Sequence, residues 1–273
     1  MRVNCRFLIF LLVTTVAASL PLFAESDQAL IARALDRQKQ NDRDLVNYTC
    51  TRNETITKYG WFDRVVRHQV LSESYQTHLR NVDIVLKEDG RLLPQSQIDQ
   101  QRRKALEVMQ QDELHSQTSQ LAGPLLEYES RYRSIIFSTY RLVRHMSFDN
   151  RRLESLNGRP TWKFDFHYDP SRPPQEQAQS YFCHLRGTLW IDQEDGLPVQ
   201  VKTYLADTRG EDQEVYVEGH TRQLNGKWLR SYLRINPAAN PKVFNGERFE
   251  WTVVSSNYQE FSVDHVGAQP IRE

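Results

Sequence analysis

Two periodicities divide this chain. From about residue 140 onward, apolar side chains recur at every second position, and the runs are broken by Asx-Gly pairs. The run 153–156, the pair Asn157-Gly158 and the run from Thr161 to Tyr168 predict a hairpin. In it Trp162, Phe164, Phe166 and Tyr168 share one face, opposite Lys163, Asp165 and His167. A second hairpin is expected from Tyr181 to Tyr204 about Asp195-Gly196, with both turn residues at positive φ. Val215 to Gln223, an Asn225-Gly226 turn and Trp228 to Ile235 repeat the device. After Pro237 and Pro241 comes a last long segment around Phe249, Trp251, Val253 and Tyr258. Short turns join neighbours antiparallel, so residues 140 to 263 predict one continuous meander.

The first half mixes both periods. Ser26 or Asp27 caps a helix in which Leu30, Ile31, Ala34 and Leu35 share a face, ending near Asp44. A long strand with little clean alternation runs from Tyr48 and stops at Gly60. Strands are expected at Arg64 to Leu79 and at Val82 to Lys87, before an Asp89-Gly90 turn. Helical spacing returns from Ser96, its expected cap, to Met109, followed by a Gln/Ser-rich loop over 110–120. A further helix is predicted from Gly123-Pro124, with Leu125, Tyr128, Tyr132, Ile135 and Ile136 on one side. The expected class is α+β, a strongly curved antiparallel sheet with helices covering its concave, apolar face.

The start of the chain changes the compartment. Arg2 and Arg6 precede the apolar run Phe7 to Val16, then small residues up to Ala24, the pattern of a cleaved secretory signal over 1–24. That run is too short to span a bilayer, and no later one is longer, so no transmembrane segment is expected in the mature chain. Residues 25–273 are expected to form a single domain. Without Arg2 and Arg6 the chain carries 33 Lys and Arg against 35 Asp and Glu. That balance provides no field for gathering nucleic acid. In an oxidising compartment the two remaining cysteines, Cys50 and Cys183, are candidates for a disulfide.

Particular stretches resemble a known family. These are G-R-P-T-W-K-F-D-F at 158–166, G-T-L-W-I-D-Q-E-D-G-L-P-V-Q-V at 187–201 and N-G-E-R-F-E-W-T at 245–252. Together with the opening helix, the Tyr/Thr-rich first strand and the helical insertion, they look like the outer-membrane lipoprotein-sorting proteins. That superfamily includes the periplasmic lipoprotein carrier, its outer-membrane receptor and a periplasmic regulator of the envelope stress sigma factor. The resemblance implies a β half-barrel enclosing a cavity for acyl chains, in the periplasm of a Gram-negative-type bacterium. No ligand-contacting position of the family carries over onto this sequence.

Catalytic chemistry finds little support. No G-x-S-x-G, H-E-x-x-H or phosphate-cradling glycine loop is present. Cys183 and His184 are adjacent and project to opposite faces of a strand, which separates nucleophile from base. Asp165 and His167 sit beside Lys163 on a solvated strand face, and His68 and His78 lack a third ligand, so no metal site and no cofactor is expected. The arginines from Arg131 to Arg152 form a basic run that a lipid headgroup or acidic partner could use, or that pairs with scattered carboxylates.

The expectation is a non-enzymatic exported protein that takes an acyl chain, a lipidated protein or another amphipathic ligand. Strand parity places Trp162, Phe164, Phe166, Leu189, Trp228 and Trp251 as the cavity lining. The alternative is a regulatory or interaction module that senses envelope state through protein contacts alone. Intact-mass measurement on protein extracted from its own envelope should find a chain starting near Glu25; a soluble form retaining Met1 would refute export with cleavage.

Overall fold

The computed structural model describes residues 26–45, 48–60, 65–77, 81–118, 143–173, 183–206, 212–223, 225–239, 246 and 248–261. The leader and the helix expected from Gly123 lie outside the described residues. Helix α1 spans Asp27–Asp44 and is capped by Ser26, whose hydroxyl accepts the Ala29 N–H at 3.2 Å. Its buried stripe is apolar in the first turns, with Leu30, Ile31 and Ala34, and polar in the last, with Gln38, Asn41 and Asp42.

Strands β1 (Tyr48–Tyr59), β2 (Val65–Gln76), β3 (Asn81–Glu88) and β4 (Arg91–Leu92) follow, and then helix α2 (Gln95–Thr118). The second half holds β5 (Met146–Leu156), β6 (Arg159–Tyr168), β7 (Leu185–Asp192) and β8 (Pro198–Ala206). It ends with β9 (Asp212–Arg222), β10 (Trp228–Ile235) and β11 (Phe249–Glu260). Among the described residues these eleven strands form one sheet in the order β4-β3-β2-β1-β11-β10-β9-β8-β7-β6-β5. Its ends, β4 and β5, do not pair with each other, so the sheet is an open half-barrel. The expected meander is β5 to β11. The N-terminal strands extend it through a long-range antiparallel pairing of β1 with β11, which sets Ile56 opposite Trp251 and Glu54 opposite Val253.

The turns follow from their sequences, with two differences. Asp89-Gly90 and Asn157-Gly158 both adopt positive φ at each residue, as tight two-residue hairpins require. At 195–196 and 225–226 only the glycine does, so those connections are longer loops than expected. Asp192 organises the first of them. Its buried carboxylate accepts the N–H groups of Glu194 and Asp195 at 3.0 and 2.8 Å and a bidentate pair from Arg159 at 2.6 and 3.0 Å. Burial pushes this carboxyl's pKa up, and the Arg159 and backbone hydrogen bonds outweigh it, leaving it below the ordinary carboxylate value.

Helix α2 also departs from expectation. It begins after Pro94, whose carbonyl accepts from Gln97 and Ile98, so Ser96 lies inside the first turn and does not cap it. It runs to Thr118 through the stretch expected as a loop. The buried positions Ile98, Ala105 and Met109 continue one turn further to Asp112, which accepts the Thr77 hydroxyl at 2.8 Å and fastens that part of the helix to the end of β2. The two helices lie on opposite faces of the sheet. Gln76 donates to the Asp42 carbonyl of α1, whereas Glu73 and Thr77, of the other parity, bond Arg102 and Asp112 of α2. Tyr75 and Ile84 form a separate small core with α2.

The main core fills the α1 side. Leu30, Ile31 and Ala34 pack with Phe164, Phe166, Leu189, Trp251 and Val253. One position there has no room for a side chain. Gly187 stands opposite Phe166, whose ring lies over it, and a Cβ at this position would collide with that ring and with the Lys202 carbonyl oxygen. Gly187→Ala should therefore cost about 1–3 kcal/mol or more in urea-denaturation stability. An unchanged midpoint would show that both the ring and the β8 backbone give way at little cost.

Candidate functional site

The candidate site is the helix-covered face of the half-barrel. Alternation on β6 turns Phe164 and Phe166 toward α1, and β7 sets Leu189 opposite Phe164 and Ile191 opposite Trp162. Of the six lining candidates, Phe164, Phe166, Leu189 and Trp251 lie together in this core, and Trp162 is half-buried at its margin. There the Arg151 guanidinium stacks on Trp162 at 4.7 Å from the ring centroid. Trp228 falls elsewhere. It opens β10, packs with Trp190, Leu197 and Val199 in a separate cluster, and donates its indole N–H to Asp195 at 2.9 Å. The cluster it joins contains Trp190, which alternates with Leu189 and so takes the other face of β7.

Polar ties at both ends hold α1 in place. Arg151 pairs with Asp27 at 3.1 Å near its start. Toward its end, Arg37 donates to the Asp195 carbonyl at 2.7 Å and Lys227 pairs with Asp44 at 2.6 Å. Asn41 presents a side-chain amide to Trp228 as a neighbouring strand would, donating to its carbonyl at 2.8 Å and accepting its N–H at 3.1 Å.

Beyond the apolar core the same face turns polar. In β1, Arg52 is buried and pairs with Glu54 at 3.1 Å and Asp83 at 3.2 Å, with its guanidinium 5.9 Å from the Trp251 ring centroid. In β9, the buried Glu218 gathers Arg230 at 2.7 Å, His220 at 3.4 Å and the Tyr216 hydroxyl. Asp42, Tyr48, Cys50, Arg52, His220, Arg230 and Tyr258 help line a cavity of about 40 Å³ here. It has room for a few waters and none for an acyl chain. The sequence carried a signal for this cluster. Arg52 and Glu54 share the parity of Ile56, and two charges on the core face of a strand must find partners.

The expected disulfide is not formed. Cys50 is half-buried in β1 and Cys183 is exposed just ahead of β7, and both are free thiols. In the strand order β7 is five steps from β1, so the two cysteines do not sit on neighbouring strands. Burial pushes the Cys50 thiol's pKa up, against the hydrogen bonds of Tyr258 and Ser255.

Two of the three described arginines of the basic run, Arg151 and Arg152, are paired, and Arg144 is exposed. Arg151 binds Asp27, and Arg152 grips Asp165 at 2.8 and 3.2 Å. Arg131, Arg133 and Arg141 lie outside the described residues. His68 bonds Asp89 at 3.1 Å and Glu88 at 3.3 Å, while His167 lies 3.6 Å from Asp149. Among the described residues no group of three His, Cys, Asp or Glu is placed to hold a metal ion, and no helix is long and apolar enough to cross a membrane.

No known family model and no curated protein sequence matches the chain. Solved structures do. A domain described as an outer-membrane lipoprotein-sorting protein from Vibrio parahaemolyticus is 11% identical, with a TM-score of 0.39 over 86% of this chain and 96% of that one. A LolA superfamily protein from Nitrosomonas europaea is 10% identical, with a TM-score of 0.32 over 85% and 97%. The MucA/MucB complex of Pseudomonas aeruginosa provides a chain 11% identical, with a TM-score of 0.22 over 85% and 99%.

His220 gives the polar end a pH dependence. Burial pushes its pKa down to about 4; Glu218 opposes this and Arg230 adds to it, so the ring is neutral at pH 7. A base whose folded pKa is depressed takes up a proton more readily when unfolded. Stability should therefore fall as pH drops from about 6.5 toward 4, by up to roughly 3 kcal/mol. Chemical denaturation across that window should show the loss, and His220→Gln should flatten it. A wild-type profile flat from pH 7 to pH 4 would mean that His220 opens to water at little cost.

Proposed function

We propose that the chain is an exported, non-enzymatic envelope protein of the lipoprotein-sorting type. On this reading it works in the periplasm of a Gram-negative-type bacterium. It receives an acyl chain, a lipidated protein or another amphipathic ligand on the α1-covered face. The observation that carries this reading is the manner of covering: the apolar face around Phe164, Phe166, Leu189 and Trp251 packs against the apolar stripe of α1. Four apolar side chains of α1, Leu30, Ile31, Ala34 and the partly buried Leu35, pack on this face, and polar contacts fasten the helix at its ends. An acyl chain offers the sheet the same apolar surface, so it can take the helix's place when those fastenings open.

The second reading is a module that works through protein contacts without lipid cargo. Its support is that the cavity at the polar end of this face, about 40 Å³, is too small for an acyl chain.

An environment-sensitive acyl probe separates the two. The wild type should bind it with low-micromolar affinity, about −8 kcal/mol. Arg151→Ala frees one end of α1 and should tighten binding by about two- to fivefold, the worth of a partly exposed ion pair. Phe166→Glu should abolish binding, with its thermal transition recorded alongside to separate lost binding from lost folding. No probe binding by the folded wild type would leave the protein-contact reading in place.

A further inference from the structure

We propose that the polar end of the α1-covered face selects cargo by its head: an acyl chain carrying a primary ammonium is taken in preference to one carrying a carboxylate. This rests on the reading of that face as a cargo site. Three buried side-chain atoms there have no hydrogen-bond partner among the described residues: Gln38 Oε1, Glu54 Oε1 and His220 Nδ1. Gln38 and Glu54 are 5% and 6% exposed, and the His220 side chain 8%. Each residue is fixed by its other polar atom. The Gln38 amide donates to Asp42 at 2.7 Å, the second Glu54 oxygen meets Arg52 at 3.1 Å, and His220 Nε2 lies 3.4 Å from Glu218. With Nε2–H directed at that carboxylate, the neutral ring leaves Nδ1 as an acceptor. All three unmatched atoms are therefore acceptors, and a buried acceptor that meets no donor is costly.

The three adjoin one space. His220 lines the cavity of about 40 Å³, and Glu54 and Gln38 are bonded to Arg52 and Asp42, which line it too. A primary ammonium brings three N–H donors in a group about the size of a water molecule, so this cavity can take it. Charge points the same way. Among the described residues Arg52 meets two carboxylates, Glu54 and Asp83, and Arg230 meets Glu218, three anions to two cations. A carboxylate head would add a further anion and bring no donor, leaving the acceptors as they are. The acyl chain of such a ligand takes the place of Leu30, Ile31, Ala34 and Leu35, but it offers nothing to replace the paired hydrogen bonds between Asn41 and Trp228. The last turn of α1 therefore stays seated, with Asp42 in the wall of the head pocket.

Competition against the bound acyl probe tests it, with dodecylamine and dodecanoate at neutral pH and below their micelle concentrations. Dodecylamine should displace the probe about tenfold better or more. Glu54→Gln, which leaves Arg52 paired with Asp83, should cut that preference to about threefold, and Gln38→Met, on a different element, should cut it about twofold. Thermal transitions are recorded for both variants, so that if one does not fold the other decides. Lysophosphatidylethanolamine against lysophosphatidylglycerol, alike in chain and phosphate, identifies the source. A preference for the first assigns the ammonium to a phospholipid head, and a preference confined to dodecylamine assigns it to a simple acyl amine. Equal displacement by dodecylamine and dodecanoate would mean that water satisfies the three acceptors, and it would overturn the proposal. So would a preference that both folded variants retain in full. A wild type that never binds the acyl probe would overturn the cargo reading and this one with it, whereas binding without head preference overturns this one alone.

Discussion

Everything in this molecule is arranged around the need to keep one face of a curved sheet dry. A half-barrel has no opposing wall, so the side chains that alternate inward from β5 to β11 would meet water unless something lay across them. At about 25 cal/mol per Å² of apolar surface, leaving that face bare would forfeit more than the net stability of an ordinary domain. Helix α1 supplies cover with Leu30, Ile31, Ala34 and the partly buried Leu35, and the strands turn Phe164, Phe166, Leu189, Trp251 and Val253 toward it. Where the helix turns polar, at Gln38, Asn41 and Asp42, the sheet beneath turns polar too.

This matching explains why the buried charges are tolerable. Arg52 with Glu54 and Asp83, and Glu218 with Arg230, are taken from water as partnered groups. A partnered ion in the interior is close to neutral in energy, whereas removal of one member strands the other. The cluster thus adds little net stability, but it makes the position of α1 specific: a slide along the sheet would bring leucine onto charge and carboxylate onto phenylalanine.

Much of the fold was legible because its connections are local. Asn157-Gly158 and Asp89-Gly90 announce their hairpins, the alternation of Trp162, Phe164 and Phe166 announces a face, and Ser26 announces a helix start. The pairing of β1 with β11 leaves no such mark, because the partners lie some 200 residues apart and neither strand encodes the other. The misplaced disulfide came from that gap, since whether Cys50 and Cys183 meet depends wholly on strand order. Of the site, the aromatic group around Phe166 followed from parity. The placement of Trp228 did not, because it packs with Trp190, whose parity on β7 is opposite to that of Leu189.

The pairing of β1 with β11 also has a bearing on when the molecule can exist as such. Its first strand lacks one neighbour until residues near 249–260 are available, so a growing or threading chain holds an incomplete sheet almost to its end. Long-range closure of this kind makes folding slow compared with local hairpin formation. On the export reading proposed above, lateness is an advantage: a chain whose last strand is missing has not yet closed its sheet.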